Sequence, residues 1–210
     1  MSDILDTRFA DKTVSIKDHR VRPGDDINLL QKDPTLRKIH IGFGWDIESF
    51  NTDVVDFDVS LFLIDKNGKT RNDNDFVFYN QMNALDDGIR HLGDSRTGAG
   101  DGDDETIAID LTAIPFDVTS LVFTISIYRG AEKQHMLSMM KNAYMRVVNA
   151  ETTIELLRYE LDSVIKNHEE TAMIAAHINR EGPKWHFAPK DEFVEGGLAA
   201  IATRFGIIIA

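Results

Sequence analysis

The sequence predicts an all-β fold, a two-sheet β-sandwich with short peripheral helices late in the chain. Three features carry that expectation. Apolar residues alternate with period two through the first two thirds, turn-forming clusters separate the alternating rows, and helical spacing is thinner and sits later, from Ala131 onward.

The first row is Ile39, Ile41, Phe43 and Trp45. The second is Phe57, Val59, Leu61 and Leu63, with Asp58 and Ser60 facing the other way. It ends at Asp65-Lys66-Asn67-Gly68, a hairpin-turn composition, so the next strand is expected over Phe76 to Tyr79. Ile107, Ile109 and Leu111 form a third row, Leu121, Phe123, Ile125 and Ile127 a fourth, and Met145, Val147 and Asn149 a fifth. Helices are expected over Ala131 to Asn142, where Met136, Met139, Met140 and Ala143 have helical spacing, and over Glu192 to Phe205, where Leu198, Ile201, Ala202 and Phe205 share a side. Thr171 to Asn179 and Trp185 to Phe187 read as late strands around Glu181-Gly182-Pro183, with alanine content leaving a helix open for the first. The methionines read as core filler rather than a cofactor box.

At 210 residues the chain fits one domain, and 42% hydrophobic residues exclude general disorder. The first twenty residues read as a divergent segment and 21–210 as a single domain. With 23 basic against 35 acidic residues the net charge is −12, which repels a phosphate backbone and argues against nucleic acid as a partner. The absence of cysteine excludes disulfides, thiolate catalysis, iron–sulfur clusters and zinc–cysteine sites. Met1 to Lys12 mixes Asp3, Asp6, Arg8 and Asp11 with isolated apolar residues, unlike a secretory signal, and no apolar run approaches the roughly 18 residues of a membrane span. A cytoplasmic location is expected.

The stretch Gly93 to Glu105 holds five acids, four glycines and one arginine in thirteen residues, with four of the acids between Asp101 and Glu105. Carboxylates packed this closely repel one another, and glycine lets carbonyl oxygens, such as that of Gly100, converge with them. A hard divalent cation relieves the repulsion. Calcium takes about six to eight oxygen ligands from carboxylates, carbonyls and water. The competing reading is a solvated surface loop. Further oxygen donors beside the strand ends favour the metal: Asp46 after Trp45, Asp56 and Asp58 two apart and therefore on one side of a strand, and Asn80 past Tyr79. Candidate ligands are thus Asp46, Asp56, Asp58, Asn80, Asp94, Gly100, Asp101, Asp103, Asp104 and Glu105, for one or two calcium ions.

Other chemistries find less support. Counted from Asp65, the glycine of Asp65-Lys66-Asn67-Gly68 stands fourth and Phe76 twelfth, which does not match an EF-hand. Gly42-Phe43-Gly44 lacks the third glycine or Lys-Ser pair of a phosphate loop; its glycines suit close packing under an aromatic ring. Seven scattered histidines offer no paired metal ligands, and no Gly-x-Ser-x-Gly elbow is present. Arg96 suits neutralisation of the loop better than a phosphate clamp.

The chain resembles the TerD domain family of bacterial tellurium-resistance and stress-response proteins, most closely over Ile39 to Leu161. The resemblance rests on Gly42-Phe43-Gly44-Trp45-Asp46, Asp56-Phe57-Asp58-Val59-Ser60, Asp75 to Asn80, the loop Gly93 to Glu105, and Lys141 to Asn149. It implies a β-sandwich with calcium at one end and no catalytic residues, and favours Asp46, Asp56, Asp58, Asp94, Asp101, Asp103, Asp104 and Glu105 as the acidic set. The chain departs from the family pattern at Ser60, where a third aspartate is frequent, and at Ala99, where an acid is frequent. The function expected is non-enzymatic calcium binding that presents a surface to other stress-response proteins, with no small-molecule substrate. A calcium-dependent membrane-surface module ranks second, because the loop offers Arg96 alone as a basic anchor, and a divalent-metal phosphoester hydrolase third.

Overall fold

Alternating apolar rows become strands here because each buries one face against a second sheet. The computed structural model describes residues 19–47, 55–93 and 102–208. In chain order the elements are β1 (Arg20–Val21), β2 (Ile27–Asn28), α1 (Leu29–Lys32), β3 (Lys38–Ile47), β4 (Phe57–Asp65), β5 (Phe76–Val77), β6 (Asn83–Ala84), β7 (Ile89–His91), β8 (Glu105–Asp110), β9 (Val118–Ile127), α2 (Gly130–Lys133), β10 (Met140–Asn149), β11 (Glu155–Glu160), α3 (Asp162–Ile165), β12 (Ala172–Glu181), β13 (Lys184–Val194) and α4 (Gly197–Phe205). One sheet has the order β1-β11-β10-β3-β8-β7-β6 and the other β2-β13-β12-β9-β4-β5. All neighbours are antiparallel except β1 and β11. The all-β sandwich expected from the sequence is the fold observed.

The five sequence rows face inward. Ile39, Ile41, Phe43, Trp45, Ile107, Ile109, Met145 and Val147 of the first sheet meet Phe57, Val59, Leu61, Leu63, Leu121, Phe123, Ile125 and Ile127 of the second in one apolar cluster. A smaller cluster lies on the outer face of the second sheet, where Ile201, Ala202 and Phe205 of α4 cover Phe62, Ile64, Val122 and Ile174. That cover explains why every residue of β4 from Phe57 to Ile64 is buried. The C-terminal end of α4 is tied down by Thr70, whose N–H donates to the Phe205 carbonyl at 3.0 Å.

Several boundaries differ from the sequence expectation. Ala131 to Asn142 is not a helix: α2 is a single turn, a 3-10 turn follows at Leu137–Met139, and β10 begins at Met140. A bulge between Lys141 and Tyr144 places Met140, Ala143 and Met145 on the buried side, and this three-residue gap imitates helical spacing. Glu192 to Val194 belong to β13, and α4 starts at Gly197. The strand expected over Phe76 to Tyr79 extends over two residues, and Phe78 instead bridges to Gln81. The Asp65-Lys66-Asn67-Gly68 turn forms as expected, with Gly68 N–H donating to the Asp65 carbonyl at 3.0 Å and Asp65 N–H to that of Lys69 at 2.8 Å. The turn at Gly182-Pro183 likewise joins β12 to β13. Among the described residues, no helix is long and apolar enough to cross a membrane.

Candidate metal centre

The edge of the second sheet brings three of the expected oxygen donors to one place. Asp56 and Asp58, at the start of β4, and Asn80, past β5, line a single cavity of about 530 Å³ together with Tyr79, Met82, His91 and Tyr128. Asp58 is 7% exposed. The strand geometry accounts for the pairing, since residues two apart point the same way. The backbone reinforces it: the Asp56 carbonyl accepts the Tyr128 N–H at 2.9 Å, fastening the entry of β4 to the exit of β9. Burial lifts the Tyr79 hydroxyl pKa, and the neighbouring Asp58 and Asp56 carboxylates lift it further.

The remaining described candidates lie in separate contacts. Glu105 begins β8 and belongs to the inward row of Ile107 and Ile109. Its Oε2 accepts the Val59 N–H at 2.7 Å and lies 3.2 Å from His91 Nε2, with both side chains 1% exposed. Asp104 Oδ2 accepts the Trp45 N–H at 2.7 Å. Asp46 Oδ2, exposed at the end of β3, accepts from Asn142 Nδ2 at 2.6 Å. Asp103 lies across the outer face of the first sheet, where Arg146 donates to both of its oxygens at 2.8 and 3.0 Å and the Tyr144 hydroxyl donates to Oδ1 at 3.0 Å. Burial, with the Asp103 carboxylate second, pushes the Tyr144 pKa up to about 12.

Two glycines make that arrangement possible. A Cβ on Gly42 would stand 2.0 Å from Asp103 Oδ2, and one on Gly44 would stand 2.3 Å from the Tyr144 ring. This matches the sequence reading of Gly42-Phe43-Gly44 as close packing beneath an aromatic. Ser60, on the Asp58 face, is fully buried, and its hydroxyl has no hydrogen-bond partner among the described residues.

Asp94, Gly100 and Asp101 lie outside the described residues. Among the described residues, no three His, Cys, Asp or Glu side chains are grouped to hold a metal; the Asp56–Asp58 pair shares its cavity lining with the Asn80 amide. The donor set is all oxygen, which suits calcium rather than a softer ion. Sequence reasoning missed Tyr79, Met82, His91 and Tyr128 in the cavity wall. His91 had a signal, since it continues the alternation from Ile89; the others come from loops and strand ends without a periodic mark.

Three partly exposed, largely apolar side chains line the acidic cavity. Tyr79, Met82 and Tyr128 are 38%, 38% and 45% exposed. Leu92, half exposed, directly follows His91.

Comparison with known proteins agrees with this architecture. The family model described as TerD domain matches residues 18–205. Tellurium resistance protein TerD of Serratia marcescens is 35% identical over 184 residues, covering 88% of this chain and 95% of that one. General stress protein 16U of Bacillus subtilis (strain 168) is 37% identical over 185 residues, with the same coverage, 88% and 95%. Among solved structures, a homologue of telluride resistance protein from Streptomyces coelicolor A3(2) superposes with a TM-score of 0.66 at 18% identity, covering 83% of this chain and 99% of that one, a likeness of fold.

Proposed function

The chain belongs to the TerD domain family, and on that premise we propose that it is a non-enzymatic, cytoplasmic calcium-binding protein of the stress response, whose acidic rim presents a docking surface to a protein partner. The observation that carries this reading is the convergence of Asp56, Asp58 and Asn80 on one cavity. Calcium would supply there the double positive charge that offsets neighbouring carboxylates.

Asp56 and Asp58 would contribute charged oxygens and Asn80 its amide oxygen, with Asp94, Gly100 and Asp101 as further candidates from the loop. Glu105 acts behind them. By holding the Val59 N–H it fixes the strand residue next to Asp58, and supports of this kind orient ligands they do not themselves join. Asp104 plays the same part for Trp45. Asp103, forked onto Arg146, fastens the end of the acidic loop to the sheet face.

The exposed rim of Tyr79, Met82 and Tyr128 supports the docking half of the reading, because exposed apolar groups gathered around a polar centre mark interaction sites. The test is calorimetric titration with calcium. Saturable binding in the wild type that is weakened by about tenfold or more in Asp58→Asn supports the proposal; no heat of binding in the wild type refutes it.

A further inference from the structure

On the outer face of the first sheet, toward the Lys38 end of β3, lies a pocket of about 310 Å³ that shares no lining residue with the acidic cavity. That volume stands at the lower end of the range of roughly 300–1,000 Å³ typical of small-molecule sites. Strand register sets its floor. His40 of β3 and Arg90 of β7 are the partners of Ala108 of β8 on either side, so two basic residues spring from strands roughly 10 Å apart with a single methyl group between them.

The β6–β7 turn forms a wall of the pocket, and there Leu85, Asp86 and Asp87 take three successive left-handed conformations, at φ 55°, 49° and 68°. Residues other than glycine seldom enter that region, and they persist in it only where their surroundings enforce it. The enforcement is visible. The Gly88 N–H donates to the Leu85 carbonyl at 2.9 Å, and the Asp110 N–H donates to the Gly88 carbonyl at 2.8 Å. Gly88 also passes Ala113 so closely that a Cβ there would stand 2.7 Å from the alanine methyl. The backbone thus holds Asp86 and Asp87 at the pocket.

Two of the charges that line the pocket answer each other: Lys38 lies 3.8 Å from Asp110, which also accepts the Thr112 N–H at 2.9 Å. The side chains of His40, Arg90, Asp86 and Asp87 make no ion pair or hydrogen bond among the described residues. Basic and acidic groups therefore share one pocket without closing on each other. We propose that this pocket binds a small dipolar molecule carrying a carboxylate and an ammonium group a few bonds apart. Arg90, whose planar fork matches a carboxylate, and His40 take the negative end; Asp86 and Asp87 take the positive end. A ligand of one charge leaves one of these sets unanswered, which is the basis of selectivity.

The test is calorimetric titration of the full chain, in chelator so that calcium does not enter. The probes are the unbranched amino acids from glycine to 6-aminohexanoate, with the carboxylate and the amine of matching length as singly charged controls. One member of the series is expected to saturate and to bind about tenfold or more tighter than either control, the increment of a charge-assisted hydrogen bond. Arg90→Gln is expected to reduce that member to the affinity of the amine, and the double variant Asp86→Asn, Asp87→Asn to that of the carboxylate. Ala108→Phe, which fills the floor, is expected to abolish binding, and Asp58→Asn to leave it unchanged. Saturation by no member, equal affinity for a member and its controls, undiminished binding in either charge variant or in Ala108→Phe, or a loss in Asp58→Asn overturns the proposal.

Discussion

The Glu105 carboxylate, at the start of β8 in one sheet, accepts the backbone N–H of Val59 in β4 of the other at 2.7 Å. β5 pairs only with Leu61 and Phe62, so it ends before Val59, and a side chain from the opposite sheet takes the role of a neighbouring strand. The contact ties the two layers together directly beneath the acidic cavity.

Removing that acceptor leaves the Val59 N–H and the His91 ring to find other partners within a buried setting. Glu105→Ala is expected to cost about 1–3 kcal/mol in a urea unfolding titration, and Glu105→Gln, which keeps an acceptor oxygen, distinctly less. Equal losses for the two variants would show that the Val59 contact is not what stabilises this junction.

Asp103 and Asp58 are both acidic rim residues, yet the structure gives them different surroundings. Asp103 is held by Arg146 and Tyr144 on an outer sheet face, whereas Asp58 lines the cavity. Asp58→Asn is therefore expected to weaken calcium by about tenfold or more, since ligand charge tunes affinity. Asp103→Asn should act mainly on stability. Calorimetric titration of both variants checks this, and a larger affinity loss at Asp103 would reverse the assignment.

Gly44 lies under the Tyr144 ring, which is covered on its other face by the Arg158 guanidinium at 3.6 Å from the ring centroid. Gly44→Ala pushes a methyl into that sandwich and is expected to cost about 1–3 kcal/mol, the usual penalty for overpacking. Pairing it with Tyr144→Ala tests the cause: the penalty should largely vanish once the ring is gone, as a double-mutant cycle would show.

Burial holds the His177 imidazole pKa down to about 4, from an ordinary value of 6.5; Lys190 and Arg204 push the same way and Glu192 opposes them. The folded value lies below the unfolded one, so protonation favours unfolding. This contribution to stability is intact above about pH 6.5 and is lost as the pH falls toward 4. Unfolding free energies of wild type and His177→Gln, compared between pH 7 and 4.5, are expected to show a shallower decline in the variant. Parallel curves would assign the acid sensitivity elsewhere.

The legible part of the fold was the part in which one physical rule acted alone. Inward rows such as Phe57 to Leu63 and Leu121 to Ile127 follow from period-two burial, and the turn glycine Gly68, at φ +75°, from its freedom to adopt that angle. The helix misassigned to Ala131–Asn142 arose where a second feature intervened, a bulge with Asn142 at φ +49°, which spaced buried residues three apart. β11 was missed altogether, and the two-residue strands β1 and β2 are too short for periodicity to register.

At the candidate centre, residue type was legible and environment was not. Asp56 and Asp58 were recognisable as a same-side pair because strand geometry is local. Glu105 looked like one more acid of a loop, although its spacing from Ile107 and Ile109 already placed it in an inward row. Asp103's attachment to Arg146 crosses from β10, forty-three positions away, and no local pattern announces it.

The central claim is that calcium occupies the acidic rim and stabilises the native sandwich. A ligand bound only to the native state adds about 2.7 kcal/mol at a hundredfold excess over its dissociation constant, worth several degrees for a chain of this size. Thermal melting in saturating calcium against chelator measures it directly. The midpoint is expected to rise by several degrees in the wild type and by about half as much or less in Asp58→Asn; a wild-type midpoint indifferent to calcium would contradict the claim.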